Sequence, residues 1–240
     1  MPTPNDLISE CDPPFHITID GPAGAGKSTV GGGLARALGC PMLDTGLMYR
    51  AVTHRALEEH VGPTDAPALA VLARSLQFDL IGGSLSITGV PAGELHSRDV
   101  DDLVSTVSAH PEVRQVLVEK QREFASGQSM VMVGRDIGTV VLPRAAIKLW
   151  ITASSEVRAQ RRRQERDSES ISQTPNARRD IGERDTHDST RRVSPLRPAG
   201  DAVAIDTSGV TADQAVDQAL AVVQKAMGKR HEQESGVRSR

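Results

Sequence analysis

Residues 15–38 contain the feature that most limits the possible folds: an apolar run, FHITID, then a glycine-rich turn, GPAGAGKST, and a helical pattern, VGGGLARAL. Gly21, Gly26, Lys27 and Ser28 match the phosphate-binding loop template G-x-x-x-x-G-K-[ST]. Glycines let successive backbone N–H groups surround an anion, and the following helix N-terminus adds partial positive charge. The alternative is a glycine turn that precedes Lys-Ser by chance. The flanking strand and helix favour a nucleoside triphosphate site in which Lys27 reaches the β- and γ-phosphates and Ser28 ligates Mg²⁺.

The composition excludes several other classes of protein. The chain has 240 residues, of which 38% are hydrophobic and 2% aromatic, so the core must be mainly aliphatic. The net charge of −3 gives no general attraction to nucleic acid, although arginines are concentrated in residues 158–197. Cys11 and Cys40 form no C-x-x-C pair, so neither a disulfide nor a zinc site is expected. No apolar run approaches the ~20 residues of a membrane span, and the acidic, proline-rich N-terminus is unlike a signal peptide, so we expect a cytoplasmic protein.

The order of apolar runs and helical patterns predicts an α/β fold. Short apolar runs separated by helices indicate parallel strands, which need crossover connections. Thr211 and Gln214 form a capping box for a last helix that Gly228 is expected to end. Three glycines, residues 31–33, lie early in the helix after the loop. Each destabilises a helix by about 1 kcal/mol relative to alanine, so we expect close packing of this helix on the sheet to compensate. The predicted P-loop NTPase-type five-stranded parallel sheet with flanking helices has strands at 15–20, 40–43, 130–134, 147–151 and 203–206.

Two segments depart from this alternating pattern. Residues 62–104 combine a helical pattern with two short strands, 78–81 and 85–87, which predicts an antiparallel hairpin inserted into the core. Residues 164–177 have almost no apolar side chains and lie between two arginine-rich helical patterns, as a mobile lid would. A plain solvated loop is the alternative there. The predicted organisation is a disordered leader (1–14), one P-loop domain (15–227; core 15–61, 105–157 and 192–227; insertion about 62–104; lid about 158–191) and a disordered tail (228–240).

Charged side chains follow the ends of two predicted strands, where ligands bind in such folds. Asp44 and Arg50 follow the second strand. Arg50 alone is typical of a surface charge, but its place beside a phosphate-binding loop favours a second substrate. Arg135 and Asp136 follow a buried strand and form either a local ion pair or a ligand site. In a ligand site, Asp136 is suited to accept from an exocyclic amino group such as cytosine N4.

Arginines are concentrated on two predicted helices. Arg184, Asp188 and Arg191 lie at i, i+4 and i+7, and therefore share one helix face. A surface salt-bridge ladder, worth well under ~1 kcal/mol per pair, is one explanation. Phosphate or ribose recognition by planar guanidinium groups is the other. On the first helix, only two or three of the arginines are expected to be functional, because the full set wraps too widely to contact one ligand: Arg158, Arg161, Arg162, Arg163 and Arg166.

Taken together and in this order, these stretches resemble the cytidylate kinase family of nucleoside monophosphate kinases. The resemblance covers nearly all of residues 15–227 and implies transfer of the γ-phosphate of ATP to CMP or dCMP, with Mg²⁺. It also implies that the insertion belongs to the NMP-binding part. We expect a monomer whose partners are ATP and CMP or dCMP, with no nucleic acid and no membrane. The stretches that carry the resemblance are GPAGAGKST, LDTGLMYR, VSTVSAHPEVR, GRDIGTVVLP, SSEVRAQRRR and ERDTHDSTRRVSPLRPAGDAVAIDTSG.

The resemblance implies a role for each matching residue. The implied CMP contacts are Ser105, Arg114 and Asp136 at the cytosine, Arg184 and Asp188 at the ribose, Thr45 near the nucleoside, and Arg50, Arg135 and Arg191 at the phosphate. The implied ATP contacts are Gly21, Pro22, Ala23, Gly24, Ala25, Gly26, Lys27, Ser28 and Thr29, with Thr207 and Ser208 beside the adenine. The implied catalytic residues are Lys27 and, from the lid, Arg158 and Arg162.

Three features depart from the family's pattern. Val133 stands where the family commonly has an acidic residue, which leaves Asp136 as the main cytosine acceptor. The triple glycine in the first helix is atypical. The lid lacks bulky residues that would hold it closed, so the identity of its catalytic arginines stays open.

Three other functions are alternatives to this one. A kinase of the same fold with UMP, AMP or a metabolite as acceptor is the nearest. A GTP-dependent switch would need an Asn-Lys-x-Asp sequence, and the chain's only asparagines, Asn5 and Asn176, lie in other contexts. A non-catalytic nucleotide sensor would need neither the phosphate arginines nor a lid.

Overall fold

The predicted strands form one parallel sheet, and the predicted hairpin forms a second, smaller sheet. A computed structural model describes residues 14–168, 177–191 and 193–237, without the side chains of residues 165–168, 177–181, 183–184 and 229–237. The large sheet has five strands that are all parallel, which confirms the predicted architecture. The strands are β1 (His16–Asp20), β2 (Met42–Asp44), β3 (Phe78–Ile81), β4 (Ser84–Ile87), β5 (Met130–Val133), β6 (Ile147–Thr152) and β7 (Val203–Asp206), and the large sheet has the order β2-β5-β1-β6-β7.

Helices connect the parallel strands and cover both faces of the large sheet. Most of them agree with the helical patterns in the sequence to within a few residues. They are α1 (Lys27–Leu38), α2 (Thr45–Glu58), α3 (Ala66–Ser75), α4 (Arg98–Val107), α5 (Pro111–Ser126), α6 (Ser155–Ser168), α7 (Ala177–Thr190) and α8 (Ala212–Val237), with a short 3-10 helix at Ala92–His96 and a π-helical turn at Ile137–Val141.

The strand order defines where ligands are expected. From β1 the chain runs through α1 to the edge strand β2, returns to β5, and then crosses to β6 on the other side of β1. In an open α/β sheet, the crevice at the carboxyl ends of strands beside such a reversal is the usual ligand site. Ile19 of β1 pairs with Val133 of β5, so Asp20 and Gly134 leave the sheet side by side.

Two aliphatic cores hold the layers together, one on each face of the sheet. Alternate residues of β5 serve both: Met130 and Met132 join the core formed with α2, α3 and α5, whereas Val131 and Val133 join the core formed with α1 and α8. A strand buried on both faces has a continuous apolar sequence rather than an alternating one, as MVMV has. The inserted hairpin of β3 and β4 is antiparallel, as predicted, and contributes to the first core.

The glycines of α1 allow the close packing that the sequence predicts. A Cβ on Gly31 would lie 2.6 Å from Cγ2 of Val133, so α1 rests directly on β5. A Cβ on Gly33 would lie 2.4 Å from Cγ2 of Val216 in α8. Gly32 has nothing within 4 Å of its ideal Cβ position. Two of the three glycines are therefore required by close contacts, and the third is not.

The last helix is longer than predicted. α8 continues through Gly228 to Val237, so the predicted end at Gly228 is wrong. A single glycine costs a helix only about 1 kcal/mol, and the residues after it, KRHEQES, are mostly good helix formers. The capping box at its start is confirmed, because Thr211 N donates to Gln214 Oε1 (2.9 Å) and Gln214 N donates to Thr211 Oγ1 (3.2 Å).

Parts of the predicted leader, lid and tail lie outside the described residues, at 1–13, 169–176 and 238–240. α6 and α7 lie on either side of the second of these segments, as the helical patterns predict. In the part of the chain that the structure describes, no helix is both long and apolar enough to cross a membrane.

Alanine substitutions in α1 should separate packing from helix propensity. Gly33→Ala is expected to lower the free energy of unfolding by about 1–3 kcal/mol, because the β-branched side chain of Val216 has little freedom to move away. Gly32→Ala is the matched control and should raise it by up to about 1 kcal/mol. Urea denaturation measures both. Equal effects of the two substitutions would contradict the close contact between α1 and α8.

Candidate active site

The phosphate-binding loop has the backbone conformation that its glycines predict. Gly24 and Gly26 have positive φ angles of 71° and 89°. Gly21 has no room for a side chain, because a Cβ there would lie 1.9 Å from the carbonyl oxygen of Ile151. The loop leads from β1 into α1, whose first residue is Lys27. The backbone N–H groups at the start of α1 therefore face the loop, as an anion site requires.

Lys27 is half-buried in the loop beside another cation. Its Nζ donates to the carbonyl of Pro22 (2.7 Å). Burial, followed by the positive charge of Arg135, lowers the pKa of Lys27 to about 7. An ammonium group in this position gains most from a nearby anion, because an anion favours its charged form.

Ser28 and Asp44 bring two oxygen atoms together where the sequence predicts Mg²⁺. Ser28 Oγ donates to Asp44 Oδ2 (2.6 Å), and Asp44 Oδ1 caps α2 by accepting from Gly46 N (3.0 Å). Hydroxyl and carboxylate oxygens are ligands that Mg²⁺ prefers, so the pair fits the ion. Among the described residues, no cluster of three or more His, Cys, Asp or Glu side chains could hold a metal, and Mg²⁺ commonly takes its other ligands from water and substrate phosphates.

Asp20, at the end of β1, anchors the turn that follows Arg135 and Asp136. Its two carboxylate oxygens accept from the N–H groups of Ile137 and Gly138, each at 2.7 Å. Burial raises the pKa of Asp20 to about 6. Because one carboxylate binds two successive amides, the turn is held against β1. The orientation of both predicted substrate contacts therefore depends on Asp20.

Arg114 and Asp136, two predicted cytosine contacts, form a buried ion pair. Arg114 Nη2 donates to Asp136 Oδ2, and the two side chains are 4% and 5% exposed. The guanidinium group also lies over the ring of Tyr49, 5.3 Å from its centroid. Within the described residues, the buried Nε of Arg114 has no hydrogen-bond partner. The carboxylate of Asp136 is thus paired with an arginine of α5 rather than with the adjacent Arg135.

Arg135 and Arg191, two of the predicted phosphate-binding arginines, share Asp188. Arg135 Nη2 lies 3.3 Å from Asp188 Oδ2, and Arg191 Nη2 lies 3.7 Å from Asp188 Oδ1. Arg135 Nη1 also donates to the carbonyl of Gly21 in the loop (3.3 Å). Arg191 Nη1 donates to the carbonyl of Ser108 (3.4 Å). The structure therefore brings both arginines together at the edge of the loop.

Arg50, the third predicted phosphate-binding arginine, belongs to a second group with Asp101 and Arg162. Arg50 donates to the carbonyl of Leu95 (2.8 Å) and to Asp101 Oδ1 (2.7 Å). Arg162 of α6 donates to Asp101 Oδ2. The Arg50 side chain is only 14% exposed, so it is not a surface charge. Asp101 joins an arginine of the predicted acceptor site to an arginine of the predicted lid.

Arg158 and Asp185 meet at the phosphate-binding loop. Arg158 Nη1 donates to the carbonyl of Ala23 (3.2 Å) and forms an ion pair with Asp185 Oδ2. Asp185 Oδ1 accepts from the N–H of Ala23 (3.3 Å) and lies 4.0 Å from Arg135 Nη1. Arg158 therefore lies beside the loop, where the Asp185 carboxylate of α7 binds the same groups that could bind an anion.

A cavity of about 540 Å³ lies beside the loop, next to the start of α8. Arg161 donates to the hydroxyl and to the carbonyl of Thr207 (2.8 and 2.7 Å). The hydroxyl of Thr207 in turn donates to the carbonyl of Ala25 (2.9 Å). Ser208 donates to Asp206 Oδ1 (2.5 Å). The predicted adenine position of Thr207 thus adjoins a cavity, whose lining includes Gly24, Gly26, Thr29, Arg161, Thr207 and Val210.

Like the residues above, three further CMP contacts keep the status of predictions. Thr45 is buried and its hydroxyl donates to the carbonyl of Val133 (2.9 Å), which ties α2 to β5. Ser105 lies half-buried on α4. Arg184 lies on α7, but its side chain is outside the described residues.

Sequence reasoning missed three residues that hold the site together, Asp20, Asp101 and Asp185, and it left Arg161 among five arginines without an assigned role. Asp20 offered one signal, because a carboxylate directly after an apolar strand faces the ligand crevice. The other two carboxylates lie on helices, where an isolated charge is usually solvated. Their partners are remote in the sequence, so no local pattern identifies them.

Comparison with known proteins bears on this arrangement. The family model for cytidylate kinase matches residues 17–225. Cytidylate kinase from Desulforamulus reducens is 46% identical over 220 residues, covering 87% of this chain and 96% of its own length. Cytidylate kinase from Nocardia farcinica is 44% identical over 226 residues, covering 88% and 94%. A crystal structure of a gluconokinase from Sinorhizobium meliloti 1021 has a TM-score of 0.51 at 16% identity and covers 92% of this chain and 97% of its own, which shows the fold alone. Because the family model matches residues 17–225 and these two relatives are 46% and 44% identical, the chain belongs to the cytidylate kinase family.

Proposed function

We propose that this protein transfers the γ-phosphate of ATP to CMP or dCMP, giving ADP and CDP or dCDP. The observation that carries the proposal is the contact between Arg135 Nη1 and the carbonyl of Gly21 (3.3 Å). It sets an arginine of the proposed acceptor site directly against the donor loop. Two anionic phosphates repel each other, so a kinase needs cations at the point where they meet. Family membership supports cytosine as the acceptor base.

The donor phosphates are proposed to lie on the amides of residues 21–29 and on Lys27. Ser28 and Asp44 would hold Mg²⁺ together with ATP, and the ion would neutralise charge on the β- and γ-phosphates. Thr207 and Ser208 border the adenine, with Arg161 beside them in the cavity. The acceptor oxygen of CMP is ionised at neutral pH, so the reaction needs no general base.

The acceptor nucleotide is proposed to lie with its base at the Arg114–Asp136 pair. Asp136 uses Oδ2 for Arg114 and presents a second carboxylate oxygen, which suits the amino group of cytosine. Uracil has a carbonyl oxygen at that position, which the carboxylate of Asp136 would repel. The remaining proposed contacts are Ser105 at the base, Thr45 near the nucleoside, Arg184 and Asp188 at the ribose, and Arg50, Arg135 and Arg191 at the phosphate.

The lid is proposed to bring Arg158 and Arg162 to the phosphoryl group and to exclude water, which suppresses hydrolysis of ATP. Arg158 already contacts the loop at Ala23. Donor and acceptor groups both come from one chain, which supports a monomer as the active form. Since ATP and CMP are cytoplasmic metabolites, we also propose a cytoplasmic location.

An acceptor panel tests the proposed function. With ATP and Mg²⁺, CMP and dCMP should be phosphorylated faster than UMP, AMP or small metabolites in a coupled assay of ADP release. Lys27→Met should lose turnover by orders of magnitude while thermal unfolding shows a folded protein. A preference for another acceptor would reject the cytosine assignment, and no turnover with any acceptor would favour a nucleotide sensor.

Lys27→Met should also be more stable than the wild type at neutral pH. The pKa of Lys27 is about 7 in the folded protein against an ordinary 10.5, so the unfolded chain binds more protons between those values. Titration of Lys27 therefore makes the free energy of unfolding of the wild type rise with pH across this window. The variant has no lysine at this position and lacks this rise.

The stability difference between Lys27→Met and the wild type should thus be largest near pH 7 and shrink toward pH 10, as measured by thermal unfolding without nucleotide. Lys225→Met, at an exposed lysine of α8, is the matched control. A difference that stays constant with pH would show that Lys27 titrates normally.

Asp136→Asn should weaken the choice of base. The amide keeps the size of the side chain but loses the charge that favours an amino group, so the ratio of kcat/KM for CMP to that for UMP should fall about tenfold or more. Arg114 loses its buried partner at a cost of about 3–5 kcal/mol, so thermal unfolding must be measured alongside. An unchanged ratio in a folded variant would remove Asp136 from the cytosine site.

A further inference from the structure

Asp101 lies between the proposed acceptor site and the lid. It is on α4, and its side chain is 5% exposed. Oδ1 accepts from Arg50 of α2 at 2.7 Å, and Oδ2 accepts from Arg162 of α6. The two arginines are 51 and 61 residues away from Asp101 in the sequence. One carboxylate therefore joins three helices.

The contacts of Arg50 fix the direction of its guanidinium group. Nη1 donates to the carbonyl of Leu95 (2.8 Å), while Nη2 donates to Asp101. A planar guanidinium group held at two of its nitrogens cannot turn freely, so its other N–H groups keep one orientation. Asp101 thus supplies one of the two points that orient Arg50.

Charge explains why a carboxylate is needed at this place. The side chains of Arg50 and Arg162 are only 14% and 15% exposed, and two guanidinium groups brought together in a poorly solvated place repel each other. A carboxylate that binds both offsets this repulsion. Both cations can then stay close to where a doubly charged acceptor phosphate would bind.

We propose that Asp101 is a positioning residue for phosphoryl transfer. It holds Arg50 and the lid residue Arg162 together as one preassembled pair of cations. Asp101 touches no substrate and acts through the two arginines. Through it, the position of α6 in the lid is tied to the orientation of an acceptor-site arginine on α2. The inference rests on the proposed function, because it takes Arg50 to bind the acceptor phosphate.

Two substitutions separate positioning from charge balance. Asp101→Glu keeps the charge but moves the carboxylate by one methylene group, whereas Asp101→Asn keeps the size and removes the charge. Asp102→Asn is the matched control, because Asp102 is the next residue on the same helix and its side chain is 60% exposed. Its Oδ2 lies 3.8 Å from Nε of Arg98. Initial rates are measured over a range of CMP and ATP concentrations, together with thermal unfolding.

Both Asp101 variants should lose about tenfold or more in kcat/KM for CMP, while the KM for ATP stays within about twofold of the wild type. Asp102→Asn should match the wild type. Wild-type kinetics for Asp101→Glu would overturn the proposal, since a residue that only balances charge tolerates glutamate. If Asp101→Asn fails to fold, Asp101→Glu alone decides the question.

A double-substitution cycle tests the route through Arg162. In an Arg162→Lys background, Asp101→Glu should have a smaller effect on kcat/KM for CMP than it has in the wild type. If the effects of the two substitutions on kcat/KM simply multiply, the proposed link between Asp101 and Arg162 is wrong. The acceptor panel with the wild-type protein tests the proposed function separately. If the wild type prefers another acceptor, the same variants are assayed with that acceptor. Failure of the proposed function can then be distinguished from failure of the proposed role of Asp101.

Discussion

Buried carboxylates hold the arginines of this site in place, and the rest of the site depends on them. A site that accommodates two nucleotides phosphate to phosphate must concentrate positive charge in a small volume, where guanidinium groups repel and desolvation is costly. Asp188 lies between Arg135 and Arg191, and Asp136 pairs with Arg114. Each carboxylate offsets repulsion and also fixes the direction of a guanidinium plane. The cations are therefore oriented by the protein itself, which is the preorganisation that electrostatic catalysis requires.

Another carboxylate, Asp185, would make phosphate binding at the loop an exchange of partners. Asp185 accepts from the N–H of Ala23 and pairs with Arg158, and both of these donors are of the kinds that phosphates use. An ATP phosphate at this part of the loop would compete with Asp185 for them. The electrostatic free energy gained on binding is then the difference between two anion contacts rather than the whole of one. Because Asp185 is on α7, its contacts connect that helix to the loop.

What the sequence could predict follows from how local each signal is. The phosphate-binding loop and the five strands depend on neighbouring residues, and they form where predicted. Asp101 and Asp185 could not be identified, because a carboxylate on a helix is indistinguishable from a solvated charge until its partners, 27 to 162 residues away, are known. Gly228 misled for the opposite reason: a local helix-ending signal was weaker than the helix propensity of the residues after it.

Gly31 and Val133 form one packing feature. The Val133 methyl group occupies the space beside Gly31 that a Cβ would fill, with Ile19 and Met42 next to it. An acidic side chain at position 133 would be buried in this aliphatic contact without a partner, at a large desolvation cost. β5 therefore contributes no carboxylate to the crevice. Asp20 of the adjacent strand β1 orders the turn after β5 instead, directly after Asp136, the proposed contact of the acceptor base.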